Sequence, residues 1–425
     1  TKALLRTAEM YTAMQHAGAY GLRAENVGFD LDAVVKRSRD IAGKLSGGVS
    51  YLMKKNKIDI LRGVARLKKS GSGGSSPDIH VAQADGGEVL VTAKHVILAT
   101  GARARTLPKI GLTIDNPAVW TAREAMTPDI MPTSIAVVGS GAIGIEFASF
   151  FNAMGAEVTV LETVDRILPS EDEEISAFAQ KQLAKLGVKF ELGATVEKVA
   201  AADDGARVSY INANGEDIAL DVDRVIAAIG IIGNTEDLGL EDVGVETDRG
   251  HVVVNEWLET SAHGVYAIGD LVGPPWLAHK ASHEGVICVE RIAGLNEVHP
   301  LEINNIPGCT YCNPQVASVG MTERGAIDAG YAVKVGRFPF NGNGKAIALG
   351  EPEGMVKTVF DEKTGELLGA HMVGAEVTEL IQGFGIAKTL EATEQDLFHT
   401  VFPHPTLSEM MHEASLDAFG RVVHI

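Results

Sequence analysis

Two short stretches of this chain have residue types and spacing that suit chemistry. The first is Gly139-Ser140-Gly141-Ala142-Ile143-Gly144, with the apolar run SIAVV before it and a helix-patterned stretch after it. A second apolar run then ends at Glu162. Glycines in this pattern bind dinucleotides when a strand precedes them, a helix follows, and a carboxylate stands about twenty residues on. Gly139 permits the tight turn, Gly141 lets the backbone approach a pyrophosphate, and Gly144 lets helix and strand pack closely. Unpaired N–H groups and the helix dipole then favour phosphate at the helix start. Glu162 would accept hydrogen bonds from a ribose diol and repel a 2′-phosphate, so NAD is favoured over NADP. Arg166 is the one nearby residue that argues the other way.

The second stretch is His404-Pro405-Thr406-Leu407-Ser408-Glu409. Proline biases the residue before it toward an extended conformation, which holds the His404 imidazole off the start of a following helix. Glu409 can approach that ring and stabilise the imidazolium formed when it takes a proton, the usual form of a general base near neutral pH. The same residues also spell a capping box, in which Glu409 satisfies the backbone N–H of Thr406. Locally, both readings stand.

Three further signals share one form, a buried strand running into glycine: HVILATGA at 95–102 with Gly101, VDRVIAAIG at 222–230 with Gly230, and GVYAIGD at 264–270 with Gly269 and Asp270. Ligands bind at strand ends in open α/β sheets. Glycine admits a ligand closely and Asp270 can accept hydrogen bonds from a polyol, although a turn role for Asp270 suits the sequence equally well. The helix after Pro274-Pro275, with Ala278 in its first turn, would aim its positive end at an anionic flavin ring.

The elements that must position these residues follow from periodicity. Residues 2–17 and 32–57 read as helices, the second weakened by Gly43, Gly47 and Gly48. Short strand signals follow, with SGSGGSSP at 70–77 as a hairpin tip. Residues 103–133 hold four prolines and little periodicity, which suits a connection between domains. After Glu162 come a helix at 172–186 and strands at 188–191, 195–200 and 206–211; a helix at 277–292 follows the third glycine signal. From about residue 301 the pattern changes to strands at 315–319 and 331–338, a hairpin at 354–374, and helices at 376–390 and 406–418. An α/β half followed by an α+β tail is a multidomain layout.

Composition narrows the function. A chain of 425 residues has room for about three domains. The net charge of −19 argues against a nucleic-acid partner, which would need clustered Lys and Arg. No apolar run reaches membrane-spanning length, so no membrane partner is expected. The three cysteines, Cys288, Cys309 and Cys312, cannot build a disulfide framework, which points to a reducing, cytoplasmic setting. Cys309-x2-Cys312 without a second pair is not a zinc site, and no metal centre is expected. Nor does that pair start a helix that would lower a thiol pKa.

Together these pieces resemble the flavin disulfide reductase family over essentially the whole chain: TKALL at the start, ATGA at 99–102, GSGAIGIEF at 139–147, YAIGD at 266–270, NPQVASVG at 313–320 and HPTLSE at 404–409. The resemblance implies an α/β fold with two Rossmann-like domains, for FAD and NAD, and a C-terminal α+β dimerisation domain. It would place the FAD domain at 1–132 and 264–300, the NAD domain at 133–263 and the interface domain at 301–425. His404 and Glu409 match the catalytic base and its partner, which act on the active site of the other subunit of a homodimer. Lys2 matches the lysine beside the flavin, paired with the glutamate matching Glu146. Within the family the pattern is nearest to enzymes that oxidise dihydrolipoamide, carried on the lipoyl domain of a 2-oxo acid dehydrogenase complex core. Glu162 disfavours glutathione reductase, an NADP enzyme, and the lack of C-terminal cysteines disfavours mercuric reductase. The family's Cys-x4-Cys redox pair and FAD-pyrophosphate unit would lie upstream of Thr1, so the chain reads as an N-terminally truncated member, inactive alone. A non-catalytic dimerising or docking module is the rival reading.

Overall fold

The strand Ser134–Val138 is buried at nearly every position, as its run of Ile, Ala and Val requires, and it sits at the centre of a five-stranded parallel sheet. Glu157–Glu162 and then Lys189–Leu192 flank it on one side, and Arg224–Ala227 and Val119–Trp120 on the other. The chain therefore leaves the central strand first in one direction and later in the other. That reversal is a topological switch point, where a crevice opens beyond the carboxyl ends of the strands. The helix Ala142–Ala153 is apolar almost throughout, and Ile145, Phe147, Phe150 and Phe151 are fully buried in one core with Ile135, Val137, Val158 and Val160. Leu4 and Ala8 of the first helix, Lys2–Gln15, join the same core.

The computed structural model describes residues 1–71 and 76–425; part of the glycine–serine tip expected at 70–77 lies outside the described residues. The contacts divide the chain into two units: residues 1–41, 106–230 and 304–425 form one, and residues 42–105 and 231–303 the other. Besides the parallel sheet, the first unit holds an antiparallel meander (Thr195–Ala202, Gly205–Ile211, Asp217–Val222) and a five-stranded antiparallel sheet. In the latter, Leu367–Gly374 is buried at every residue, which requires cover on both faces; Val377–Thr389 and Glu173–Lys185 contribute to that cover. The second unit contains the three-stranded sheet Val64–Lys68, Asp78–Ala82 and Glu88–Thr92. It also contains the parallel pair Val96–Leu98 and Val265–Ala267, and the helix Ala278–Ile292.

Several expectations needed correction. Residues 103–133 are more than a connection: Val119–Trp120 is the outer strand of the parallel sheet, too short to show a period. The strand at 95–102 shrinks to Val96–Leu98, and Ile97 in its middle is 36% exposed. The glycines at 43, 47 and 48 do not interrupt the helix Leu31–Lys55, where residues 39–52 are exposed and no packing penalises a missing side chain. The short helices Glu323–Asp328, Gly344–Leu349 and Glu394–His399 show no clear sequence period. The helix expected at 406–418 starts later, at Glu409.

Candidate functional site

At the switch point a crevice of about 390 Å³ is lined by Val138–Gly141, Leu161–Thr163, Thr195 and Ile229–Gly230, among others. The three glycines do different work around it. Gly139 has φ +102°, and a Cβ there would lie 2.3 Å from the Ala228 carbonyl oxygen. Gly144 packs more closely still, since a Cβ would come 2.0 Å from the Gly139 carbonyl oxygen. Around Gly141 a Cβ would meet no atom within 4 Å. Gly141 is also the N-cap of Ala142–Ala153, with no side-chain cap bond, so its surroundings are open toward the crevice at a helix N-terminus. Gly230, at φ +102° and equally open, lines the crevice after the strand Arg224–Ala227.

Glu162 faces this turn. Its Oε2 accepts from the Ser140 N–H at 2.8 Å and from the Ser140 hydroxyl at 2.7 Å. Its Oε1 accepts from the Val164 N–H and the Thr163 hydroxyl, each at 3.1 Å. Burial alone would raise this carboxyl's pKa, but these bonds outweigh it and hold the group below its ordinary value. Glu162 is thus anionic at neutral pH and places a negative charge at the edge of the crevice. Arg166 turns elsewhere: its Nη1 pairs with Glu173 at 3.2 Å and its Nη2 donates to the Pro169 carbonyl at 3.4 Å. Sequence reading missed Ser140, whose hydroxyl and amide lock Glu162; it stands in the variable second position of the glycine motif.

His404 and Glu409 are brought together. His404 Nδ1 lies 2.9 Å from Glu409 Oε1, while Glu409 Oε2 accepts the Thr406 N–H at 2.9 Å. Each carboxylate oxygen thus has its own partner, but the capping box itself does not form, because the Thr406 hydroxyl donates to the Pro403 carbonyl at 2.7 Å instead of capping the helix. Ser408 is the N-cap of Glu409–Asp417, so the Thr406 bond lies just ahead of the helix. Burial pushes the Glu409 carboxyl upward, and the bonds from Thr406 and His404 more than reverse it. The His404 side chain is 79% exposed, which leaves its outer edge free to meet something beyond this chain.

Glu146 is the one charged residue of Ala142–Ala153 and is buried. A buried carboxylate needs partners. Lys2 Nζ donates to Oε1 at 2.8 Å, the Tyr311 N–H to Oε1 at 3.1 Å, and the Thr1 hydroxyl to Oε2 at 2.6 Å. The Lys2 ammonium also sits 4.4 Å from the centroid of the Tyr311 ring. Tyr311 gave no sequence signal, because its contribution is a backbone N–H and a ring face.

In the second unit, Gly101 (φ +69°) and Gly269 (φ +74°) follow the parallel pair Val96–Leu98 and Val265–Ala267 at its carboxyl end. Asp270 is half-buried in the next turn, and Ala278 is exposed at the first position of Ala278–Ile292, which has no side-chain cap bond. A glycine with open space around it at 101, a second glycine strand end at 269, a carboxylate and an uncapped helix start are a donor and acceptor set that fits a polyhydroxylated anionic cofactor such as FAD.

The cysteines do not form a redox pair. Cys288, Cys309 and Cys312 are all free thiols. Burial pushes Cys288 and Cys309 up to about 11 and Cys312 upward as well, so none is a thiolate at neutral pH. The Cys309 thiol faces the Thr378 carbonyl at 3.9 Å and that of Cys312 the Pro314 carbonyl at 3.0 Å.

Residues 1–285 match the family described as pyridine nucleotide-disulphide oxidoreductase, and residues 306–415 match the dimerisation domain of that family. The chain is 55% identical to the dihydrolipoyl dehydrogenase of Rhizobium etli, across all of this chain and 90% of that protein. It is 49% identical to the enzyme of the same name from Zymomonas mobilis, again across the whole chain and 89% of the relative. Among solved structures, LpdA from Mycobacterium tuberculosis superposes with a TM-score of 0.89 at 26% identity, covering 97% of this chain and 88% of that one.

Proposed function

The chain belongs to the pyridine nucleotide-disulphide oxidoreductase family, and from that membership we propose that it is a dihydrolipoyl dehydrogenase, oxidising the dithiol of dihydrolipoamide with NAD as final acceptor. The observation that supports the reading is a single pairing: a glycine-lined crevice at Gly139–Gly144 with the Glu162 carboxylate held beside it, and an exposed imidazole backed by a carboxylate at His404–Glu409. The high identity to enzymes of that name supports it. The alternative activities within the family suit the site less well, because Glu162 opposes NADP.

In this reading His404 accepts the dithiol proton at Nε2 while Glu409 holds Nδ1 and steadies the resulting positive charge. Its exposure suits action on the partner subunit of a homodimer. Glu162 would take the ribose diol of NAD, and the open space at Gly141 its pyrophosphate. Gly101, Gly269, Asp270 and the start of the helix at Ala278 would hold FAD, which when bound supplies the two-electron chemistry between thiols and nicotinamide. Lys2, oriented by its bond to Glu146, is proposed as the lysine that steadies charge at that cofactor. The dithiol would arrive on the lipoyl domain of a 2-oxo acid dehydrogenase complex, and a cytoplasmic setting is part of the reading.

Disulfide exchange needs a reactive thiolate, and Cys288, Cys309 and Cys312 supply none. A polypeptide confined to these 425 residues is therefore expected to bind nucleotides but turn over dihydrolipoamide poorly. The test is to titrate the purified protein with NADH and NADPH and to record its visible spectrum after incubation with FAD. Selective NADH uptake with a flavin band is the expected outcome. A colourless protein that takes up neither nucleotide would overturn the reading and favour the dimerising module.

A further inference from the structure

The helix Ala278–Ile292 buries two opposite charges one turn apart. The side chains of Lys280 and Glu284 are 5% and 6% exposed, with Lys280 Nζ 3.0 Å from Glu284 Oε1. A buried ion pair contributes little to stability, because the cost of removing two charges from water roughly cancels their attraction; well-packed apolar residues often serve as well. The other bonds of this pair suggest a different use. Lys280 Nζ donates to the Gly269 carbonyl at 3.3 Å and to the Gly273 carbonyl at 3.0 Å. Glu284 Oε2 accepts the Gly269 N–H at 2.7 Å.

These three backbone groups bracket the short 3-10 turn Gly269–Val272, and Asp270 lies between them. The turn rests directly on the helix: a Cβ on Gly269 would lie 3.3 Å from the Ala281 Cβ. A segment tied at both ends to one rigid helix has little freedom to rotate, and this holds the residue it carries in a set direction. The ammonium and carboxylate also cancel, so the turn is held without adding net charge beneath it.

We propose that Lys280 and Glu284 are positioning residues for FAD, acting through the Gly269–Val272 turn to fix where the Asp270 carboxylate is presented to the cofactor's hydroxyl groups. This rests on the reading of FAD as the cofactor of the strand ends. The pair acts as a unit. Loss of Lys280 alone would strand a buried carboxylate, so paired substitutions are the informative ones.

The experiment compares the parent with K280M/E284L, which removes every bond to the turn, and K280M/E284Q, which is neutral but keeps an acceptor for the Gly269 N–H. Amide exchange is read first, without added cofactor. Exchange at 269–273 should speed up by tenfold or more in K280M/E284L, while Val265–Ala267 is unaffected. On reconstitution, the FAD dissociation constant should rise at least tenfold in K280M/E284L and recover in part in K280M/E284Q, with melting temperatures within about 3 °C of the parent. Affinity within twofold of the parent despite faster exchange would overturn the positioning role. So would exchange that speeds up evenly through the unit, or not at all. A parent that takes up no FAD would refute the cofactor reading itself; localised exchange would then still distinguish a held turn from an ordinary buried pair. If K280M/E284L does not fold, K280M/E284Q carries the same comparison against the parent.

Discussion

Two alanine substitutions in the glycine motif should separate folding from binding. At Gly144 an added methyl would lie 2.0 Å from the Gly139 carbonyl oxygen, 3.1 Å from its carbon and 3.2 Å from the Ala228 Cβ. Ordinary contact is about 3.5 Å, so the helix start must lift from the strand end by roughly 1 Å or more. The obstacle is backbone, which cannot swing aside as a side chain could. Overpacking of this kind costs about 1–3 kcal/mol of stability. A displacement near 1 Å at the phosphate end should also weaken NADH by at least about tenfold, equivalent to ~1.4 kcal/mol. At Gly141 a methyl would meet no protein atom within 4 Å, so Gly141→Ala should leave the denaturation midpoint almost unchanged. The same methyl occupies space needed by the pyrophosphate, and NADH affinity should again fall tenfold or more. The assay pairs urea denaturation with calorimetric NADH titration for both variants. If Gly141→Ala binds NADH as tightly as the parent, the open space beside Gly141 is not where the phosphates sit, and the assignment of the crevice fails.

Other expectations follow from the same geometry. Glu162→Ala removes the charge that opposes a 2′-phosphate, so the NADH-over-NADPH preference should shrink by tenfold or more, and parallel titrations that keep the parent ratio would contradict the role of Glu162. In a turnover-competent enzyme, His404→Gln should lower dihydrolipoamide oxidation by about 10²–10⁴-fold with NADH binding intact, as steady-state rates and calorimetry would establish. Lys357→Met should destabilise by about 3–5 kcal/mol at neutral pH, because it strands the buried Asp172. Lys357 Nζ lies 2.8 Å from Asp172, 2.8 Å from Glu323 and 3.1 Å from Glu174, with Lys357 and Asp172 side chains each 3% exposed. A loss under about 1 kcal/mol in denaturant titration would show that the cluster is not a buried charge lattice. Burial pushes the Asp172 carboxyl up, but Lys357 holds it below its ordinary value. Its stabilisation is thus present above pH ~4 and lost as pH falls through the lowered value. Burial likewise pushes Lys357 down and the three carboxylates raise it overall. That contribution is intact below pH ~10 and fades as pH rises through the raised value, so unfolding followed from pH 2 to 11 should show the parent losing this increment at both extremes and Lys357→Met showing neither loss.

Local sequence was enough for everything that local physics dictates. The apolar run, the glycine triplet and the downstream carboxylate determined a strand–turn–helix–strand unit, because φ above zero, close backbone approach and burial restrict the residue types allowed at those positions. The helix and strand periods in 173–211, and those of the strands and the two longer helices in 315–417, were legible from local pattern as well, whereas the short helices between them were not. The tertiary structure decided matters that depend on residues far apart in the chain. Whether Glu409 serves a helix start or an imidazole could not be chosen from HPTLSE, and the fold gives each carboxylate oxygen its own partner. Arg166 looked free to meet a phosphate until Glu173 and Pro169 were seen to engage it. Val119–Trp120 joins the parallel sheet only through pairing with a strand more than a hundred residues later, and no two-residue segment carries a period. Buried charges depend most on the tertiary structure, because a lysine or glutamate in sequence reads as solvated surface. Only the folded chain, by removing water from Lys280, Glu284 and Lys357, turns them into groups that must find partners.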